Sequence, residues 1–201
     1  MRSASGNRAA YQTSVWFGGG IVRTMVLDEP EVLGRNDVAW SDVERLSRRL
    51  AEGLAREHGA DAFDRVVGVA RGGLIPAVLV ATALGIKRID TVQVRLYDGT
   101  ERLDAPRLVG DALEGVDERS LVIVEILDSG RTLAFLNGLH PEATYAVLVL
   151  RDLERRCVAK QGLFHGNGAT GPMVAAASVS VDDAWVLFPW SPPEDRAGAQ
   201  A

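Results

Sequence analysis

Residues 121–133 read LVIVEILDSGRTL, and this stretch is the most informative one for the fold. The apolar run from Leu121 to Leu127 has the length and composition of a buried β-strand. The small residues Ser129 and Gly130 follow as a turn, and a helix is predicted to start at Arg131. A strand that passes through a short turn into a helix is the unit from which parallel sheets are built, so the sequence predicts an α/β protein.

The same alternation of strand and helix surrounds this stretch. Ser41 and Glu44 have the spacing of a capping box, and apolar residues then recur every three or four positions as far as residue 58. Residues 97–113 are polar and without periodicity, so a long loop is predicted there. The predicted strands are residues 65–70, 89–96, 121–127 and 144–150, and the predicted helices are residues 41–58, 74–84 and the segment from Arg131. We therefore expect a mostly parallel sheet flanked by helices, with a ligand beyond the carboxyl ends of its strands.

Both ends of the chain depart from this alternation. Residues 1–27 contain no acidic residue and include three consecutive glycines, so they are predicted to be a weakly ordered N-terminal extension. Residues 28–201 are predicted to form a single domain. Beyond Arg151 come a glycine-rich stretch, a strand candidate at residues 173–181 and an aromatic tail, which together predict a small C-terminal hood over roughly residues 152–192.

Composition excludes several classes of protein. The 201 residues are 47% hydrophobic, enough for one sizeable core, and the net charge of −5 argues against nucleic acid as the main partner. Cys157 is the single cysteine, which excludes an internal disulfide and suits a reducing, cytoplasmic compartment. No apolar run reaches the roughly 18 to 20 residues of a membrane span. We expect no integral membrane segment.

The turn after residue 127 has the chemistry of a phosphate site. Backbone N–H groups at a helix N-terminus attract anions, and the hydroxyl groups of Ser129 and Thr132 add donors. Glu125 and Asp128 would lie beside that phosphate, where their carboxylates bind ribose hydroxyls, a divalent cation or a proton. On the motif alone an alternative stays open, in which Asp128 caps the helix and Glu125 is solvated.

Four motifs in order resemble the type I phosphoribosyltransferases. Residues 124–132 are similar to their phosphoribosyl pyrophosphate loop, an acid-acid-apolar-apolar-Asp-Thr/Ser-Gly-x-Thr pattern. Residues 69–76, VARGGLIP, resemble the pyrophosphate loop of the family, and residues 97–98 resemble the start of its mobile catalytic loop. Residues 183–190, DAWVLFPW, resemble its purine-binding hood. The likeness runs from residue 40 to residue 190 and is strongest to the bacterial xanthine-guanine branch of the family.

This resemblance implies an activity. It predicts a cytoplasmic, homo-oligomeric purine-salvage enzyme that uses Mg²⁺. The enzyme would transfer the 5-phosphoribosyl group of phosphoribosyl pyrophosphate to a 6-oxopurine (guanine, xanthine or hypoxanthine), with release of pyrophosphate. Two alternatives stay open: a different base as acceptor, or a non-catalytic regulator of the same fold that senses phosphoribosyl pyrophosphate or nucleotides. Val124 is the best support for the regulator, since it replaces the first acid of the family motif.

The resemblance also implies a role for each site residue. Asp128 would be catalytic, managing the proton of the purine from a position facing N7, and Glu125 would bind the metal. Arg71 would bind pyrophosphate, and a strained cis peptide is expected at Ala70–Arg71. The residues implied for donor binding are Arg71, Gly72, Glu125, Asp128, Ser129, Gly130, Arg131 and Thr132, and those implied for the base are Arg151, Trp185 and Val186.

Overall fold

The computed structural model describes residues 12–17, 20–33, 36–98, 101–127, 130–151, 173–179 and 186–193. These residues form three helices and eight strands, and the eight strands form one sheet. In chain order the elements are β1 (Gln12–Phe17), β2 (Gly20–Leu33), α1 (Trp40–His58), β3 (Arg65–Ala70), α2 (Leu74–Leu84), β4 (Arg88–Asp98), β5 (Glu101–Val109), β6 (Ser120–Leu127), α3 (Arg131–Leu139), β7 (Thr144–Arg151) and β8 (Met173–Val179).

The sheet is mostly parallel, as the sequence predicts. Its strand order is β1-β2-β8-β7-β6-β3-β4-β5. The five inner pairings are parallel, and only the outer pairs β1–β2 and β4–β5 are antiparallel. Strands β6 and β7 are buried along almost their whole length, as expected for parallel strands covered on both faces. The predicted fold class is confirmed.

Helices cover both faces of the sheet. The apolar residues of α1 and α2 share one core cluster with alternate residues of β3 and β6, including Val66 and Ile123. Leu133 and Leu136 of α3 pack in a second cluster with the residues that point the other way, including Val67 and Val122. Because side chains alternate along a strand, the same apolar runs supply both clusters.

Helix α1 begins one residue earlier than the predicted capping box. The backbone N–H of Ala39 donates to Oδ2 of Asp42 at 2.8 Å, and the helix starts at Trp40. The prediction of a box between Ser41 and Glu44 was therefore wrong. Asp42 occupies the third helical position, and its carboxylate accepts a hydrogen bond from the backbone N–H of the cap residue. In a capping box, this is the contact that the acidic residue makes.

The predicted loop over residues 97–113 was wrong for residues 97–98 and 101–109, which are strands, whereas residues 110–113 belong to no helix or strand. Strand β4 runs on to Asp98, and Glu101–Val109 returns beside it as antiparallel β5. Val94 and Leu108 pack against the second core cluster, while most of the remaining β5 residues are exposed. An edge strand needs little apolar surface and commonly carries charges, so its sequence lacks the alternation that identifies a half-buried strand.

The C-terminal hood is not confirmed. Residues 173–179, which the sequence assigned to it, form β8 in the main sheet between β7 and β2. The other hood residues at 152–172 and 180–185 lie outside the described ranges. Strand β2 crosses the boundary drawn between residues 27 and 28, and the division into a weakly ordered extension and one domain stays a prediction. None of the helices in the described ranges is both long and apolar enough to cross a membrane.

Candidate active site

A cavity of about 550 Å³ opens at the carboxyl ends of the central strands. The chain continues from β3 to β4 on one side and from β6 to β7 on the other, so β3 and β6 flank a topological switch point. Open α/β sheets bind their ligands at such points. The cavity is lined by Arg71, Gly72, Leu74, Ile75, Glu125, Ile126, Arg151, Val186, Phe188, Trp190, Ser191 and Pro192.

The loop after β3 approaches the end of β6 very closely. A Cβ atom added to Gly72 would overlap the carboxylate of Glu125. One added to Gly73 would lie 2.5 Å from the carbonyl oxygen of Ile123 and 2.6 Å from that of Val69. Only glycine allows this approach. The peptide bond between Ala70 and Arg71 is cis, at the position where the resemblance predicted it.

The Glu125 side chain supplies a carboxylate to the wall of the cavity. Trp190 Nε1 donates to its Oε2 at 2.7 Å. Burial raises the pKa of Glu125, while the Trp190 hydrogen bond and the Arg71 charge act in the opposite direction. Glu125 thus joins three segments that are distant in sequence: the loop after β3, the end of β6 and the C-terminal residues 186–193.

Position 124 does not reach the cavity. Val124 is 8% exposed and packs in the second core cluster, on the α3 face of the sheet. A carboxylate there would be buried among apolar side chains at a large cost in desolvation. The family's first acid is thus replaced by a residue that suits this core, and Glu125 is the one acidic residue among the described residues that line the cavity.

The start of α3 has the geometry of an anion site. Gly130 is buried with φ of 72°, the left-handed region that favours glycine. Helix α3 begins at Arg131, and the N–H groups of a first helical turn have no acceptor within the helix. The Arg131 guanidinium donates at 3.0 Å to the carbonyl oxygens of Leu103 and Asp104 on β5. It therefore ties β5 to the N-terminal end of α3.

Arginine and aromatic side chains also line the cavity. Arg151 is the last residue of β7 and is 9% exposed, and Val186 is buried. Phe188 and Trp190 stack with ring centroids 5.1 Å apart and an interplanar angle of 16°. Neither ring was chosen individually from the sequence, although both belong to the aromatic run that resembles the hood. That aromatic run was the feature of the sequence from which these two rings could have been predicted.

The structure brings together only part of the predicted site. Arg71, Gly72, Glu125, Arg151 and Val186 line one cavity, and Gly130, Arg131 and Thr132 lie at the start of α3. Asp128, Ser129 and Trp185 lie outside the described residues, and their roles stay predictions. Within the described ranges no group of three His, Cys, Asp or Glu side chains is arranged to hold a metal ion.

The sequence profile of the phosphoribosyl transferase domain matches residues 38–160, more than half of the chain. The chain belongs to the phosphoribosyltransferase family. This match covers the loop after β3, the end of β6 and the start of α3, whereas the cavity residues at 186–192 lie beyond it.

Named relatives extend this finding. The phosphoribosyltransferase described here is 32% identical to a xanthine-guanine phosphoribosyltransferase of Cereibacter sphaeroides, over 76% of this chain and 84% of the relative. It is 31% identical to the enzyme of that name from Gluconobacter oxydans, over 80% and 87%. The purine phosphoribosyltransferase structure from Pyrococcus horikoshii has the same fold, with a TM-score of 0.55 at 22% identity, covering 79% of this chain and 95% of the other.

Proposed function

We propose that this phosphoribosyltransferase is a purine-salvage enzyme, a pentosyltransferase that acts on phosphoribosyl pyrophosphate and a 6-oxopurine. The observation that carries the proposal is the single cavity at the switch point of the sheet, where Arg71, Glu125 and Arg151 face the same space. Arginines suit the phosphates of the donor and the carbonyl of the base, and a carboxylate suits the ribose hydroxyls. Relatives of about 30% identity that carry the xanthine-guanine name support the same assignment.

The donor would lie across the β3–β6 end of the cavity. Its 5-phosphate would bind at residues 128–132, at the amide groups that open α3, with Ser129 and Thr132 contributing hydroxyls. Its pyrophosphate would lie against Arg71 and the backbone of Gly72, which approaches the cavity without a side chain. Glu125 would accept hydrogen bonds from the ribose hydroxyls.

Glu125 also fits the role of protein ligand to Mg²⁺. Magnesium in phosphate-transfer sites is commonly held by one or two carboxylates together with substrate oxygens. Glu125 supplies one carboxylate to the cavity, where the ribose of the donor would lie. When bound, Mg²⁺ would neutralise charge on the departing pyrophosphate. The Arg71 guanidinium would bind that same group, so the chain itself contributes a positive charge.

The purine would occupy the end of the cavity formed by Arg151 and Val186. Arg151 has only donors, so it can bind a 6-oxo group and has no acceptor for the 6-amino group of adenine. Trp185 would stack on the ring, a contact that tolerates any base, and the main chain of Val186 would read the base edge. Arg151 is therefore the residue that would make the enzyme prefer 6-oxopurines over adenine.

Transfer would proceed with loss of pyrophosphate from C1 of the ribose, where oxocarbenium character develops, and bonding of that carbon to N9 of the base. Asp128, facing N7, would help to remove the purine proton as N9 becomes the nucleophile. Because base and donor would be held in one cavity, much of the rate enhancement would come from their relative orientation and from electrostatic stabilisation of the transition state. We further propose that the enzyme is cytoplasmic and homo-oligomeric, with no nucleic-acid partner.

The test is release of pyrophosphate from phosphoribosyl pyrophosphate with guanine, xanthine, hypoxanthine and adenine in parallel. We expect turnover with the 6-oxopurines and little with adenine, and Arg151→Ala should reduce this preference. Equal use of adenine would remove the role of Arg151 and favour a different acceptor. Binding of the donor with no release for any base would instead favour the non-catalytic regulator.

A further inference from the structure

Glu125 is held at one of its two oxygens. Trp190 Nε1 donates to Oε2 at 2.7 Å, and the absence of a side chain at Gly72 leaves room for the carboxylate. Within the described part of the chain no donor forms a hydrogen bond with Oε1. The carboxylate is thus oriented from one side and keeps an acceptor for a ligand.

Trp190 is itself fixed by two aromatic neighbours. Its ring stacks on Phe188 at 5.1 Å and an angle of 16°, and packs tilted against Trp40 at 5.8 Å and 59°. Phe188 is only 3% exposed and belongs to the main core cluster. The direction of the Trp190 N–H bond therefore depends on the packed core, which makes it a rigid support for a flexible glutamate.

This support matters because Val124, in place of the family's first acid, is buried in the opposite core cluster. Among the described residues that line the cavity, Glu125 is the only carboxylate. An unsupported glutamate would lose side-chain entropy each time it engaged a ligand. We propose that Trp190 is a positioning residue, which holds Glu125 so that Oε1 faces the ribose of phosphoribosyl pyrophosphate. This inference rests on the proposed function, because it takes the ligand to be that donor.

The decisive variant is Trp190→Phe, which keeps an aromatic ring on Phe188 and removes the N–H donor. We expect the Kd for phosphoribosyl pyrophosphate, measured by calorimetry with Mg²⁺ present, to rise about tenfold, the order expected for a lost hydrogen bond to a charged group. The KM for the purine should change less than twofold. The matched control is Tyr145→Phe, which deletes a hydroxyl that donates to the His140 carbonyl at 3.0 Å; Tyr145 is buried and is not among the residues that line the cavity. It should leave the Kd for the donor unchanged.

A double-mutant cycle separates positioning from a general loss of structure. If Trp190 acts through Glu125, adding Trp190→Phe to Glu125→Ala should change the Kd by less than twofold. An equal tenfold loss in that background would overturn the inference, as would unchanged donor binding by Trp190→Phe alone. Wild-type protein that binds no phosphoribosyl pyrophosphate would refute the proposed function and the inference together. Wild-type binding without turnover would refute only the transferase proposal, and the cycle would still decide the role of Trp190.

Discussion

Replacing Gly72 by alanine should separate donor binding from folding. The new methyl group would overlap the Glu125 carboxylate, which is the end of a flexible side chain, so that side chain can turn away while the backbone keeps its place. If Glu125 turns away, its 2.7 Å hydrogen bond from Trp190 breaks. Its carboxylate oxygens also move away from the proposed position of the ribose. The ribose hydroxyls would then lose their hydrogen bond to a charged group, a contact that contributes about 1.5–3 kcal/mol. The Kd for phosphoribosyl pyrophosphate should therefore rise by about 10- to 150-fold.

The neighbouring glycine provides the contrast. In Gly73→Ala the methyl group would meet the backbone carbonyl oxygens of Ile123 and Val69 at 2.5 and 2.6 Å, and backbone cannot turn away. That variant should lose about 1–3 kcal/mol of folding stability. Gly138→Ala, where an added Cβ meets nothing within 4 Å, is the control for both. Calorimetric titration and thermal unfolding of the three variants are the assays. Wild-type donor affinity in Gly72→Ala would refute the proposed role of Glu125 in binding the donor.

Three further changes test other parts of the site and fold. Gly130→Val places a β-branched residue at φ of 72°, so donor binding should be abolished; calorimetry that gives the wild-type Kd would contradict the phosphate assignment. Asp128→Asn should lower turnover by roughly 10²- to 10⁴-fold with an unchanged melting temperature, and near-normal turnover would exclude the acid–base role. Burial, and then the charge of Arg65, lowers the pKa of His140 below its ordinary 6.5. The unfolded chain therefore binds this proton more strongly, and stability should fall as the pH drops below about 6.5. In His140→Gln, denaturant titrations at neutral and mildly acidic pH should show a smaller loss, and an equal loss would contradict this account.

The alternation of strands and helices, and the segments that build the site, could be predicted from the sequence. Buried parallel strands such as β6 and β7 are continuous apolar runs, and the glycine-rich turn after β3 marks a close backbone approach, so both can be recognised locally. The position of the cis peptide at Ala70–Arg71 could also be predicted, because the residues around it match a known loop. These features depend on neighbours along the chain.

Tertiary structure alone decided the features that depend on distant residues. β5 is a polar edge strand that is stabilised by pairing with β4, and β8 takes its place between β7 and β2 through backbone hydrogen bonds, which carry no side-chain pattern. The contact between Trp190 and Glu125 joins positions 65 residues apart, and the burial of Val124 depends on which face of the sheet α3 covers. Periodicity records how often a side chain meets apolar surroundings, but it does not record which element provides them. The partner of a functional side chain therefore had to come from the folded chain.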